Sequence, residues 1–191
     1  MKERTVSIKH LKIVSAFLTG ALITLCSATN VSADPLTPEI QAKADHYKQK
    51  LVEWAKNPAI IAAVKESNSK GGLVHDMSNA KWEELKDADP VVKGFQTSAA
   101  GKFVSAQEDD KGIGKLYARD EKGNLVASSN KPALFNIAVR APFKNAITGK
   151  AFVEAEVKAD PTTQKKSVQV SVPIMSDGKP IGVLHTAVNA N

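Results

Sequence analysis

Three Val- and Ile-rich segments follow one another near the C-terminal end and constrain the fold more than any other feature. They read "AFVEAEVK", "KSVQVSVPIM" and "PIGVLHTAV", and in each of them apolar residues alternate with others. This period of two predicts β-strands whose two sides differ. The connections "ADPTTQK" and "SDGK" are short and rich in turn residues, so successive strands are expected to pair antiparallel.

Two further strands are predicted upstream. "IGKLYARD" and "NLVASS" have the composition of strands, and "EKG" between them indicates a hairpin turn. The segment between these strands and the last three, "PALFNIAVRAPFKNAI", is ambiguous, because Pro132 and Pro142 limit any single long helix. The sheet is therefore predicted to contain about five strands, with an irregular segment in the middle.

The first part of the chain after residue 33 is predicted to be helical. Thr37 followed by Pro38 is typical of a helix start, and one apolar stripe follows at spacings of three and four: Ile40, Ala44, Tyr47, Leu51 and Trp54. Asn57 is expected to cap a second helix that ends at Gly71. Shorter helices are expected at "NAKWEEL", "DADPVVKGFQ" and "SAAGKFVSA". Helices followed by strands predict an α+β fold with an antiparallel sheet.

Residues 1–33 have the pattern of a signal peptide. A basic start precedes the apolar run "IVSAFLTGALITLC", and Val31 and Ala33 occupy the positions of a small-residue cleavage site. Cleavage after Ala33 would remove Cys26 and leave residues 34–191 as one exported domain, periplasmic or secreted, with no membrane span. The alternative is that this segment is retained as an N-terminal anchor.

The net charge of +6 shrinks when this segment is set aside. Four basic residues and one acidic residue fall within positions 1–33, so 22 basic and 19 acidic residues remain. The remaining charge is mixed along the chain and aromatic residues are few. Nucleic-acid binding is therefore not expected.

Four stretches in order resemble the single Cache domains, which are extracellular PAS-like sensors. They are "NPAIIAAVKES", the hairpin "LYARDEKGNLVASSN", the segment "RAPFKNAITGK" and the closing pair "VSVPIMSDGKPIGVLHTAV". The third is similar to the family's R-x-x-F/Y-x-x-A-x-x-G-K pattern. The resemblance implies a PAS-like sheet with a long N-terminal helix, and a pocket between the sheet and the segments after the first hairpin.

The family also implies a function. Its members bind small ligands outside the cytoplasmic membrane, often carboxylates or amino acids, and most are joined to a kinase, chemoreceptor or cyclase. No output domain is recognised in this chain, so we expect any signal to pass to a separate partner such as a membrane receptor or kinase. No cofactor is expected.

The resemblance directs attention to the basic residues of "RAPFKNAITGK". Arg140 matches the family's arginine, and a guanidinium can hold a carboxylate through two parallel hydrogen bonds. The alternative is a structural ion pair of Arg140 with Glu154, Glu156 or Asp120. Lys150 is a second candidate for ligand binding, although a solvated turn lysine is the simpler interpretation.

Four other side chains are candidate ligand contacts. Tyr117 can offer a hydroxyl, and Asp120 either binds a ligand amine or shapes the turn that follows it. Phe143 is either core or pocket wall. Gln169 lies on the polar face of "SVQVSVP", which looks toward either water or a cavity.

Metal and catalytic sites are not predicted. The histidines at 46, 75 and 185 are far apart and lack the spacing of paired ligands. None of the G-x-S-x-G, H-E-x-x-H or paired-acid patterns is present, so an exported hydrolase is the less favoured function and no enzyme activity is expected. A third possibility is a structural protein of PAS-like fold that binds no ligand.

Overall fold

The computed structural model describes residues 34–191. The predicted signal peptide, with its cleavage position after Ala33 and with Cys26, lies outside the described residues. No helix among residues 34–191 is both long enough and apolar enough to cross a bilayer.

A two-residue strand and five helices come first. They are β1 (Asp34–Pro35), α1 (Pro38–Trp54), α2 (Pro58–Lys70), α3 (Asn79–Glu84), α4 (Pro90–Thr97) and α5 (Ala99–Ala106), followed by a short 3-10 turn at Gln107–Asp109. The predicted caps are confirmed. Thr37 Oγ1 accepts the hydrogen bond of Ile40 N–H at 3.3 Å, and Asn57 Oδ1 accepts that of Ala59 N–H at 2.9 Å. Gly71 ends α2 with a φ of 73°, a left-handed conformation that favours glycine.

The second half of the chain supplies the sheet. Its elements are β2 (Ile113–Asp120), β3 (Leu125–Ser128), the short helix α6 (Ala141–Ala146), β4 (Phe152–Val153), β5 (Glu156–Ala159), β6 (Lys166–Ser176) and β7 (Lys179–Asn189). All pairs are antiparallel. Six strands follow the order β1-β5-β6-β7-β2-β3, and β4 pairs with β6 outside this path. The predicted α+β class is therefore confirmed.

The sheet has seven strands rather than about five. The expected single strand "AFVEAEVK" is two short strands, because β4 pairs with Ser171 and Val170 whereas β5 pairs further along β6 with Ser167 and Lys166. Between them Glu154 N–H still donates to the carbonyl of Gln169 at 2.9 Å, and the chain bends at Ala155. β1 adds a second unforeseen strand at the edge beside β5.

The two faces of the sheet are covered differently. Helices α1, α2 and α5 pack on one face, where the alternate residues of β6, Val168, Val170, Val172 and Ile174, are fully buried with Leu51, Val64 and Val104. The opposite face carries Ser167, Gln169 and Ser171 of the same strand. It is covered by the irregular segment 129–150, so the polar side chains of the sheet face this segment rather than bulk water.

An aromatic cluster holds the irregular segment in place. Trp82 of α3 is fully buried, packs against Phe95 and Phe135, and donates its indole N–H to the carbonyl of Pro132 at 2.7 Å. A second contact comes from Ser171, whose hydroxyl donates to the carbonyl of Pro142 at 2.8 Å. These contacts fix the backbone on both sides of residues 133–141.

Candidate functional site

A cavity of about 310 Å³ lies between the polar face of the sheet and the segments that cover it. Its floor consists of alternate residues from three adjacent strands: Lys115, Tyr117 and Arg119 from β2, Ser167 and Gln169 from β6, and His185 from β7. Its walls come from the irregular segment and from the turn after β5, and include Pro132, Leu134, Ile137, Arg140, Pro142, Glu154, Lys158 and Thr162. Polar side chains thus form the floor, and most apolar side chains of the walls come from the irregular segment.

Arg119 is the central charge of the floor. Only 1% of its surface is exposed, and burial lowers its pKa to about 10, so it stays protonated at neutral pH. Its Nε donates to His185 Nε2 at 3.1 Å, and Nη1 donates to the carbonyls of Leu134 and Phe135 at 3.2 and 2.5 Å. Among residues 34–191, no carboxylate forms an ion pair with Arg119 and no atom accepts a hydrogen bond from its Nη2. A buried guanidinium of this kind is suited to bind an anion.

Two other floor groups also have unused hydrogen-bonding capacity. Ser167 Oγ and His185 Nδ1 are buried and have no partner within the described residues. Burial, together with the positive charges of Arg119 and Lys115, holds the pKa of His185 well below its ordinary value, so the ring is neutral. Buried polar atoms rarely stay unsatisfied in native proteins, so these two atoms point to a missing partner.

Lys115 lies at the other end of the floor and is engaged. It is 4% exposed and forms an ion pair with Asp160, which is 1% exposed. Asp160 also accepts hydrogen bonds from Gln169 Nε2 at 2.8 Å and from the backbone N–H groups of Thr162 and Thr163. Burial would raise the pKa of Asp160, but Lys115 and these donors lower it below its ordinary value. The Asp160 carboxylate is therefore ionised, and its hydrogen bond from Nε2 fixes the position of Gln169.

The mouth of the cavity carries charges that face solvent. Arg140 is exposed at the start of α6. None of the three carboxylates considered as its structural partners forms an ion pair with it within the described part of the chain. Glu154 is paired with Lys158 at 3.0 Å across the same mouth. The unpaired guanidinium of Arg140 thus adds positive potential at the entrance.

The structure brings together three of the six side chains predicted to bind a ligand. Tyr117, Gln169 and Arg140 all line the cavity. Tyr117 is almost fully buried, and its hydroxyl donates to Asn130 Oδ1. Gln169 is half-buried, and its amide oxygen has no hydrogen-bond partner within residues 34–191.

The other three predicted side chains do not line the cavity. Asp120 is buried, and its carboxylate accepts hydrogen bonds from Ser67, from the backbone of Lys122 and Asn124 and from the Asn124 side chain, so it shapes the hairpin turn. Phe143 is buried in a cluster with Ile137, Ala146 and Val183. Lys150 is exposed after Gly149 and contacts no cavity atom.

Sequence reasoning missed the most deeply buried charges of the floor. Lys115 and Arg119 occupy the same face of "IGKLYARD" as Tyr117, because residues two apart in a strand point the same way. The alternation of side chains along this strand would therefore have predicted that Lys115 and Arg119 lie beside Tyr117. Ser167 and His185 were also visible on strands, but only the pairing of β6, β7 and β2 brings them beside Arg119.

A metal site has no candidate residues in the described part of the chain. No group of three or more His, Cys, Asp or Glu side chains among residues 34–191 is close enough to hold an ion.

Comparison with known proteins gives structural matches only, since no family model and no curated protein matches the chain. The chain is similar to the sensor domain of the V. cholerae histidine kinase DctB, at 17% identity and a TM-score of 0.43, over 79% of this chain and 57% of that one. It is also similar to the sensory domain of the Campylobacter jejuni chemoreceptor Tlp3 with isoleucine bound, at 14% identity and a TM-score of 0.42, over 81% and 64%.

A third match is the ligand-binding domain of the Pseudomonas fluorescens chemoreceptor CtaA in complex with L-alanine, at 14% identity and a TM-score of 0.40, over 79% of this chain and 56% of that one. The chain thus spans less than two thirds of the length of these structures. All three are sensor or ligand-binding domains of membrane receptors or kinases by their descriptions.

Proposed function

We propose that this chain is an exported sensor domain that binds a small carboxylate or amino-acid-like ligand in the cavity and passes the signal to a separate membrane partner. Residues 34–191 would be the working domain, released from a signal peptide that ends at Ala33. The observation that carries the proposal is the buried Arg119 guanidinium, which lacks a carboxylate partner within the described residues and lines an open cavity. A ligand carboxylate would supply the missing charge.

The roles proposed for the cavity residues follow from their positions. Arg119 would hold the carboxylate, and Arg140 at the mouth would attract it and contact its outer oxygen. Tyr117 and Gln169 would contact the ligand from the floor. Asp120, Phe143 and Lys150 would act indirectly, through the hairpin, the core and the surface charge. No catalytic residue is assigned, because these groups bind and orient an anion without a nucleophile beside a base.

A thermal-shift screen of residues 34–191 against carboxylates and amino acids tests the proposal. A ligand that binds only the folded state stabilises it by RT ln(1 + [L]/Kd), which is about 2.7 kcal/mol at a hundredfold excess over Kd. For a chain of this size that corresponds to an increase in Tm of about 5–10 °C. The absence of any shift across the panel would favour a protein of this fold that binds no ligand. Chemical turnover of a hit would favour an enzyme.

Substitutions of Arg119 and Arg140 test which guanidinium binds the ligand carboxylate. Arg119→Lys keeps the positive charge but loses the planar fork, so we expect at least about thirtyfold weaker ligand binding in calorimetric titration. Arg140→Ala is expected to weaken binding about three- to tenfold, because its side chain is exposed and screened by solvent. Lys144→Ala removes the same charge from the same helix outside the cavity and serves as the control. Equal affinities for Arg119→Lys and the unaltered protein would contradict the assignment.

A further inference from the structure

We infer that the ligand is a carboxylate without an ammonium group, held by Arg119 together with the Nδ1–H of His185 and the hydroxyl of Ser167. The inference rests on the proposed function, which left two ligand classes, simple carboxylates and amino acids, and it selects the first. It arises from the juxtaposition of one buried cation with two side chains of the same cavity floor, each of which has a buried polar atom without a partner in residues 34–191.

The tautomer of His185 follows from its contact with Arg119. Arg119 Nε can only donate, and it lies 3.1 Å from His185 Nε2, so Nε2 must be the unprotonated acceptor. The ring proton of the neutral histidine is therefore on Nδ1. That N–H is buried, belongs to a side chain that lines the cavity, and finds no acceptor within residues 34–191. An anionic oxygen in the cavity would satisfy it.

Ser167 adds a second group on the same floor. Its hydroxyl is buried on β6, one strand away from His185, and also lacks a partner in the described residues. With Arg119 Nη2, the floor thus offers a charged donor, a neutral N–H donor and a hydroxyl. A carboxylate accepts hydrogen bonds only, through about four lone pairs, and so matches this set.

An ammonium group does not match it. In an α-amino acid the ammonium lies on the carbon next to the carboxylate, so a carboxylate bound at Arg119 would bring the ammonium close to the same buried cation. Most nearby acceptors are engaged, since the carbonyls of Leu134 and Phe135 bind Arg119 itself and Asp160 binds Lys115. The amide oxygen of Gln169 is free within residues 34–191, but one neutral acceptor does not satisfy the three N–H donors of an ammonium. Glu154 is at the mouth and paired with Lys158. Repulsion by Arg119 and incomplete hydrogen bonding would therefore disfavour the ammonium.

The cavity walls suit an aliphatic tail. Pro132, Leu134, Ile137 and Pro142 present apolar surface opposite the floor. A volume of about 310 Å³ is at the small end of ligand sites. The ligand class that fits is a short aliphatic carboxylate.

Pairs of a carboxylate and the amino acid with the same carbon skeleton distinguish the two ligand classes. We would titrate residues 34–191 calorimetrically with propanoate against L-alanine, butanoate against L-2-aminobutanoate, and 3-methylbutanoate against L-valine, with isobutylamine as the compound that lacks the carboxylate. We expect the tightest carboxylate to bind at least tenfold more strongly than its amino acid, and the amine not to bind. Tighter binding of the amino acid in each pair that binds would overturn the inference.

Two substitutions test the floor residues with the tightest carboxylate. His185→Gln can place an amide oxygen near the position of Nε2, keeping an acceptor for Arg119 while removing the Nδ1–H donor, and we expect about tenfold weaker binding. Ser167→Ala is expected to weaken binding about threefold. His185→Asn, which can place an amide N–H near the position of Nδ1, should retain more affinity than His185→Gln. The reverse order would contradict the assigned tautomer.

The failure of this inference can be told apart from that of the proposed function. If amino acids bind more tightly and Arg119→Lys abolishes their binding, the sensor proposal stands and the ligand class is wrong. If no compound of either series binds, both are overturned. Circular dichroism melting of each variant shows whether a loss of binding merely reflects loss of folding.

Discussion

We expect Trp82→Ala to lower the free energy of unfolding by about 3–5 kcal/mol, the range for removing a large buried aromatic side chain from a core. Trp82 is fully buried between Phe95 and Phe135, with ring centroids 5.7 and 5.6 Å away. It also donates its indole N–H to Pro132, whose ring lines the cavity. The substitution therefore leaves both a void and a carbonyl without its donor. Urea unfolding followed by circular dichroism measures the loss.

The chain provides a matched control for this change. Trp54 at the end of α1 is only partly buried, so Trp54→Ala should cost roughly half as much or less. Trp82→Phe keeps most of the packing and removes the hydrogen bond, and is expected to cost about 1–3 kcal/mol. Similar losses for the two alanine variants would contradict the role assigned to the cluster of Trp82, Phe95 and Phe135.

The second large effect is expected at the buried ion pair. Asp160→Asn should destabilise the protein by about 3–5 kcal/mol, because it leaves the Lys115 ammonium buried without an opposing charge. Lys115→Met should cost less than half as much, since Asp160 keeps its hydrogen bonds from Gln169, Thr162 and Thr163. The double variant should be more stable than Asp160→Asn alone. A double variant that is less stable would show that Lys115 has another acceptor.

The pH dependence of Asp160→Asn provides a second measurement. Burial already lowers the pKa of Lys115 despite the attraction of Asp160, and losing that attraction lowers it further. Between the folded and the ordinary pKa the unfolded chain binds more protons, so stability rises with pH over that interval. The deficit of Asp160→Asn relative to the unaltered protein should therefore shrink as the pH rises toward the ordinary pKa of lysine, about 10.4. A deficit that grows with pH would contradict a charged, buried Lys115.

Local signals predicted most of the elements because their causes are local. Thr37, Asn57 and Asp89 cap the helices that follow them through bonds to backbone groups two or three residues away. The alternation in β6 likewise predicted an apolar and a polar face. The split between β4 and β5 was not predictable, since it depends on where each short strand pairs along β6.

The candidate site could be predicted only in part. Tyr117, Gln169 and Arg140 were identified from strand faces and a motif, and they line the cavity. The role of Arg119 was missed because its significance lies in the lack of a carboxylate ion-paired with it within residues 34–191. That property belongs to a neighbourhood assembled from residues far apart, such as His185, 66 positions away in the chain.

The sequence by itself determined the long helices, the long strands and which side of each of these strands is polar, because caps, turns and alternation act over a few residues. Only the tertiary structure decided that the polar faces of β2, β6 and β7 meet under a covering segment rather than water. The register that places Tyr117 opposite His185, and His185 opposite Ser171, is set by pairing across the whole domain. Burial by that covering segment turns an ordinary strand arginine, Arg119, into a buried charge that lines a cavity and has no ion pair within residues 34–191.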